Sequence, residues 1–175
     1  MDWYVTWVTE SPLVSAMLQF AVLGTLGEVL PHLVRRGVRW PFKAWQLAAK
    51  VVAWGVLGVI IKYGFVGTRG FVVALADHSL LPDVLTHGLG FAFALSVCIN
   101  LFFGPQMMFF HRLEENLIQR RWSMAGIEKA WLTLLWFWIP AHTITFSLPV
   151  EFQLGLAALW SVVLGCIMGL TAPAK

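Results

Sequence analysis

The sequence predicts an all-α protein: a polytopic transmembrane helix bundle of about five spans, N-terminus outside, with an interfacial amphipathic helix in the third loop. Three observations carry this expectation. Of the 175 residues, 59% are hydrophobic and only 12% charged, with a mean hydropathy of +0.76. The apolar residues fall in runs of roughly 20, the length that crosses a hydrocarbon core. The lysines and arginines collect in alternate loops.

A soluble domain carries about a quarter charged residues, so this composition excludes a disordered chain, a nucleic-acid module and an ordinary soluble enzyme. Five spans take up roughly 100 residues and leave only tails and short loops. Residues 1–175 are therefore expected to form a single integral membrane domain, with no repeat and no linker. The net charge is +3, but the basic residues flank apolar runs, a placement suited to anionic lipid and not to a nucleic-acid phosphate backbone. Cys98 and Cys166 lie inside apolar runs and are expected to be small buried hydrophobes.

The N-terminus has no basic n-region, so the first span is expected to remain in the mature protein. That span covers residues 13–34, behind the aromatic cluster Trp3, Tyr4 and Trp7, which suits headgroup depth. The second covers 44–66. The third covers 85–110, with room to continue as a helix beyond the membrane. The fourth covers 130–148 and the fifth 154–171, the last being free of ionisable residues. Between spans two and three, Phe71–Ala76 is apolar but too short to cross, which suggests a re-entrant or interfacial piece. In the third loop, Leu113, Leu117, Met124 and Ile127 alternate with charges, as expected of an amphipathic helix at the inner surface.

Orientation follows from the basic residues, which resist translocation. Arg35, Arg36, Arg39 and Lys43 fill the first loop, and Arg112, Arg120, Arg121 and Lys129 the third; the second has only Arg69 and the fourth none. Both basic loops then face the cytoplasm, most simply in a bacterial inner membrane. Arg35, Arg36, Arg39, Arg120 and Arg121 are the candidate contacts to lipid headgroups.

Ionisable groups inside spans need partners. Glu28 and Lys50 are placed by their spans at a similar depth, roughly 10 Å in from the inner face at 1.5 Å per residue. Gln106 reaches the same depth on span three, so Glu28, Lys50 and Gln106 are expected to form a buried polar layer. Such a layer either holds helices in register as a self-neutralising pair or lines a gate or solute path. Lys62, near the outer end of span two, is expected to snorkel toward Asp77 or Asp83.

The histidines raise a third option. His32 and His111 lie near inner span ends and His87 and His142 toward the outer side, so equal-depth pairs could ligate haem, and Glu28 with His32, at i and i+4, could begin a metal site. No third ligand has motif spacing, so no metal and no cofactor are expected. Asp77-His78-Ser79 contains triad residue types, but loop neighbours do not form triad geometry, and no catalytic residue is assigned.

Ala157, Ser161, Gly165 and Gly169 recur every fourth residue along span five, a stripe that lets helix backbones approach closely, against either a neighbouring span or a second subunit. Span four holds Pro140 in mid-run. The carbonyl it frees needs a polar neighbour, and His142, Thr143 and Thr145 are near enough to supply one, making them candidates with Asn100 for a kink or cavity.

The stretch 137–151, with Asn100-Leu101-Phe102-Phe103-Gly104-Pro105 and Phe110-His111-Arg112, resembles a group of small uncharacterised bacterial polytopic membrane proteins. More distantly it is similar to the small peroxisomal and inner-mitochondrial membrane protein family, whose members are proposed as non-selective channels. Gly27-Glu28 stands where that family has Gly-Asp, and Phe146 with Pro149 resembles part of its C-terminal motif. Thr145 replaces that motif's Asn and Gln153 its Arg. The Phe-to-Pro spacing is one residue shorter, and the fifth span is an addition. The resemblance implies a channel.

Three functions are therefore expected in order: a non-catalytic structural or accessory subunit packing against other membrane helices, a small-solute channel or transporter lined by the polar layer, and a haem or other cofactor carrier using paired histidines. The partners expected are the lipid bilayer, including anionic lipids, and other membrane subunits or a second copy, with no nucleic acid.

Overall fold

The computed structural model describes residues 2–36 and 42–171, with side-chain surroundings described throughout except at 34–36 and 168–171. Among the described residues every regular element is helical and no strand occurs. Helix α1 (Asp2–Glu10) leads through Ser11 into α2 (Pro12–Arg36), where Pro12 takes the first helical position, at which a missing N–H costs nothing. Helix α3 (Ala44–Asp77) follows, then a 3-10 turn (Asp83–Leu85) and α4 (Gly88–Cys98). A first π segment (Ile99–Phe103) joins α4 to α5 (Gly104–Gln119). After a turn, α6 (Ile127–Thr133), a second π segment (Leu134–Trp138) and α7 (Ile139–Phe146) form one more continuous helical run, and α8 (Val150–Thr171) closes the described chain.

Four helical stretches are long and apolar enough to cross a membrane: Pro12–Leu33, Ala44–Asp77, Gly88–Gln119 and Val150–Ile167. The expected fourth span has the length, from Ile127 to Phe146, but Glu128, Lys129 and His142 dilute its apolar character. Large apolar side chains face outward on these helices, among them Val52, Val56, Val66, Leu101, Phe102 and Leu135. Water would penalise such a surface; lipid matches it.

Two sequence expectations are corrected. Span two does not end at residue 66: α3 runs unbroken to Asp77, so Phe71–Ala76 forms its final turns and not a separate re-entrant or interfacial piece. No proline interrupts it before Pro82, and Gly67 and Gly70 sit in open space where glycine is merely tolerated. At 1.5 Å per residue its 34 residues extend about 51 Å, more than a hydrocarbon core requires. The four apolar residues of the third loop do not share a helix. Leu113 and Leu117 lie on α5, which stops where Arg120 turns left-handed (φ 52°); Met124 lies in the turn and Ile127 opens α6.

By their internal contacts the residues form two compact units, Met1–Val59 with Gly155–Lys175, and Ile60–Leu154. The chain passes from one to the other inside α3 and again at the start of α8, so no linker separates them.

In the first unit α2 and α3 run antiparallel through a ladder of small residues. A Cβ on Gly58 would lie 2.6 Å from the Ala16 carbonyl oxygen, and one on Gly55 3.2 Å from Met17. Helix α8 packs on α2 through its small-residue face. Ala157 and Ala158 are buried, and the Ser161 hydroxyl donates to the Ala158 carbonyl at 2.6 Å and lies 3.5 Å from the Leu23 carbonyl. A Cβ on Gly27 would meet the Ser161 carbonyl at 2.6 Å, and one on Gly165 would overlap the Gly27 carbonyl. Pro31, four residues after Gly27, has no N–H to offer that carbonyl, so the Gly165 backbone closes on an oxygen left without its helical donor.

In the second unit α4 packs along α7, and the two π segments touch. Each π segment ends two residues before a proline: Phe103-Gly104-Pro105 and Trp138-Ile139-Pro140. The proline ring clashes with the carbonyl four residues back, here Leu101 and Trp136, and the wider π turn holds both. The last N–H before each proline bonds five residues back, Gly104 to Ile99 and Ile139 to Leu134.

Candidate functional site

In the first unit α2 carries Glu28 and α3 carries Lys50, whose antiparallel packing brings the two together. Lys50 Nζ donates to both carboxylate oxygens of Glu28 at 3.2 Å. Trp54, one turn along α3, donates its indole N–H to Glu28 Oε2 at 3.2 Å. Lys50 is 2% exposed and the Glu28 side chain 20%. The Phe42 ring lies 4.9 Å from Nζ and covers the ammonium, and His32 meets the same ring edge-on at 5.3 Å. Gly24 leaves the space in which the Trp54 indole lies across α2, stacked on Phe20 at 6.5 Å. Trp54, Phe42 and Gly24 escape sequence reasoning. The one signal for Trp54 is its place four residues after Lys50, on the same helix face.

Gln106 belongs to the second unit. It is exposed, and its amide donates to the Phe102 carbonyl of its own helix at 2.9 Å.

The buried polar centre of the second unit joins α4, the first π segment and α7. Asn100, 2% exposed, donates one amide hydrogen to the Ser96 carbonyl (2.8 Å) and the other to His142 Nδ1 (3.1 Å). An accepting Nδ1 puts the imidazole proton on Nε2 and leaves the ring neutral. The Ser96 hydroxyl donates across to the Ile139 carbonyl at 2.7 Å, one residue from Pro140. His142 packs against Trp138 (5.1 Å), Phe65 (5.7 Å) and Phe146 (5.8 Å). The Trp138 indole N–H is enclosed and has no hydrogen-bond partner among the described residues. Thr143 and Thr145 turn inward on their own helix, donating to the carbonyls of Ile139 (2.8 Å) and Ala141 (2.9 Å). Ser96 escapes sequence reasoning as well, because a small hydroxyl in an apolar run gives no pattern.

Of the small-residue stripe, Ala157, Ser161 and Gly165 meet α2, while the surroundings of Gly169 lie outside the described residues. The side chains of Arg35 and Arg36, and all of Arg39, also lie outside them. Arg120 and Arg121 are exposed at the end of α5 beside Trp122. Lys62 does not pair with Asp77 or Asp83; it lines a cleft with Phe65, Val66, Val150, Gln153 and Leu154. Asp77 lies 15 residues further along the same helix, about 22 Å away, beyond any snorkelling reach. Cys98 and Cys166 are free thiols, and no group of three potential metal ligands occurs among the described residues.

Comparison of the chain with protein-family models, with curated proteins and with solved structures finds no match.

Proposed function

We propose that this chain is an integral membrane protein of five spans, N-terminus outside, that serves as a non-catalytic structural or accessory subunit. The observation that carries this reading is the Glu28–Lys50–Trp54 cluster: the Glu28 and Lys50 charges answer each other, and Phe42 covers the ammonium. A neutralised, enclosed pair fixes helix register and leaves no net field to select a permeant ion. The outward apolar side chains of α3, the π segments and α6–α7 support a surface that meets lipid or other membrane helices. The α8 stripe is already committed to α2, so a partner would dock elsewhere.

Five spans count the run from Ile127 to Phe146 as a crossing, which puts both basic loops on one side, the cytoplasmic face of a bacterial inner membrane. Trp122, Arg120 and Arg121 then stand at headgroup depth, with the final turns of α5 at the interface. Thiol labelling tests this topology in a Cys98→Ala, Cys166→Ala background. Val38→Cys and Arg120→Cys should react with an impermeant reagent from the same compartment, and reaction from opposite compartments overturns it.

The accessory role is tested by purification in mild detergent: a second membrane polypeptide should co-migrate at fixed stoichiometry. The second reading is a small-solute channel or transporter, in line with the family resemblance. It is favoured by the enclosed, unpartnered Trp138 N–H beside the Asn100–His142 pair, a polar centre able to receive a hydrogen-bond acceptor. A chain that migrates alone and makes loaded vesicles leak, with leakage lost on Asn100→Leu, would replace the first reading by the second.

A further inference from the structure

Among its described residues the second unit contains a cation without a counter-charge. Lys62 lies 18 residues from the start of α3, about 27 Å along the axis, which puts it near the outer edge of a hydrocarbon core about 30 Å thick when α3 enters lipid at its first turn. Among the described residues no carboxylate lies within 4.0 Å of it, Glu151 at the start of α8 included. An unpaired ammonium within a membrane helix costs several kcal/mol unless something neutralises it. Glu28 does this for Lys50; no described residue does it for Lys62.

The space beside Lys62 is a small open cleft with a cavity volume of about 30 Å³, walled by Phe65, Val66, Val150 and Leu154, with Gln153 as its second polar group. Gln153 is 4% exposed and gives one amide hydrogen to the Leu148 carbonyl at 2.8 Å, which leaves the other for a ligand. The cleft also adjoins the first turn of the 22-residue α8, where Glu151 already answers the field of that helix end, so the selection of an anion rests on Lys62 and Gln153. One positive charge, one amide donor and four apolar side chains describe a receptor for an acid group attached to a hydrocarbon chain. A space of about 30 Å³ has room for a small acid group and leaves the attached hydrocarbon chain outside it, along the apolar walls.

We propose that this cleft binds the acid group of an anionic amphiphile, with Lys62 as the charge partner and the acyl chain running out along Phe65, Val66 and Leu154. The inference rests on α3 lying in lipid, as the proposed function has it. An anionic phospholipid and a free fatty acid share this chemistry, and the test separates them.

The experiment is native mass spectrometry of the full chain released from detergent micelles containing phosphatidylglycerol, phosphatidylcholine or oleate, with inorganic phosphate as a fourth arm. The unmodified protein should retain one phosphatidylglycerol or one oleate at least fivefold more than phosphatidylcholine. Lys62→Gln should abolish that preference and Lys62→Arg keep it. Preference for phosphatidylglycerol names a phospholipid as occupant, and preference for oleate a fatty acid. Equal retention of phosphatidylcholine, displacement by inorganic phosphate alone, or an unchanged preference in Lys62→Gln each overturn the proposal. If Lys62→Gln fails to fold, Gln153→Leu, which removes the second polar group of the cleft, should lower the preference, and an unchanged preference in that variant overturns the proposal. Alkaline extraction of the chain from membranes would instead sink the membrane reading itself, a failure distinct from loss of the lipid preference.

Discussion

Replacing Glu28 by Gln separates a structural ion pair from an incidental one, because the two partners differ so much in exposure. In Glu28→Gln the amide oxygen still accepts the Trp54 N–H, the volume is unchanged, and only the negative charge is lost. Lys50, 2% exposed and under the Phe42 ring, then keeps its charge but loses the carboxylate it meets at 3.2 Å. Breaking a buried pair from one side costs about 3–5 kcal/mol. The reverse change, Lys50→Met, leaves a carboxylate whose side chain is 20% exposed and still bonded to Trp54, and should cost less, about 1–3 kcal/mol. The double variant removes both charges and should return to within about 1 kcal/mol of the parent, since a well-packed apolar replacement is commonly neutral. Unfolding in mixed micelles, followed by the fluorescence of the ten tryptophans, gives all three values. A Glu28→Gln variant within about 0.5 kcal/mol of the parent, or costs that simply add in the double variant, would show that the pair does not hold α2 to α3.

Other substitutions test the remaining packing. Gly165→Leu drives a side chain into the Gly27 carbonyl and should cost about 1–3 kcal/mol in the same assay, whereas Leu159→Ala, at an exposed position of α8, should change stability little; equal costs would show that the Gly27–Gly165 contact is not what holds α8 to α2. Asn100→Leu removes the bonds to Ser96 and His142 and should cost about 1 kcal/mol, with no loss indicating that water or lipid already competes for them. Burial pushes the Tyr4 phenol above its ordinary range, against a smaller opposing effect of its bond to Gln19. The native state therefore holds that proton more tightly than the unfolded chain, and the stability linked to it is present at neutral pH and lost as pH rises through the folded value. Ultraviolet titration should show a late-ionising tyrosine that disappears in Tyr4→Phe; persistence of the late phase refutes the assignment.

What the sequence discloses depends on how local the cause is. Run length and charge placement make the helices legible, and the depth argument puts Glu28 and Lys50 at one level because both are counted from helix ends joined by a short loop. Trp54 is not legible, since its role needs Gly24 to clear a path across α2, a fact of two helices at once. Helix α3 outruns its expected end because the length that crosses a hydrocarbon core bounds a span and not a helix, and Gly67 and Gly70 only weaken a helix where proline stops it. The end of α5 is hidden for the opposite reason: Arg120 adopts the left-handed conformation that glycine usually marks, so no residue type announces it.

The two units meet the demand of a low-dielectric surround by different means. In the first, a full charge is answered by a full charge, and glycine contacts between α2, α3 and α8 bring the backbones near enough for that answer to be short. In the second, the demand comes from the backbone, because Pro105 and Pro140 each remove a donor and crowd a carbonyl. The chain responds twice in the same way, with a five-residue π turn that ends two residues before the proline and a neutral Ser96–Asn100–His142 network beside it. A network of neutral donors and acceptors can exchange partners at far lower cost than an ion pair can part. The unpartnered Trp138 N–H lies there, next to the His142 ring. If any part of this protein rearranges around a polar guest, the energetics select the π-paired centre of the second unit and leave the Glu28–Lys50 clamp as the fixed frame.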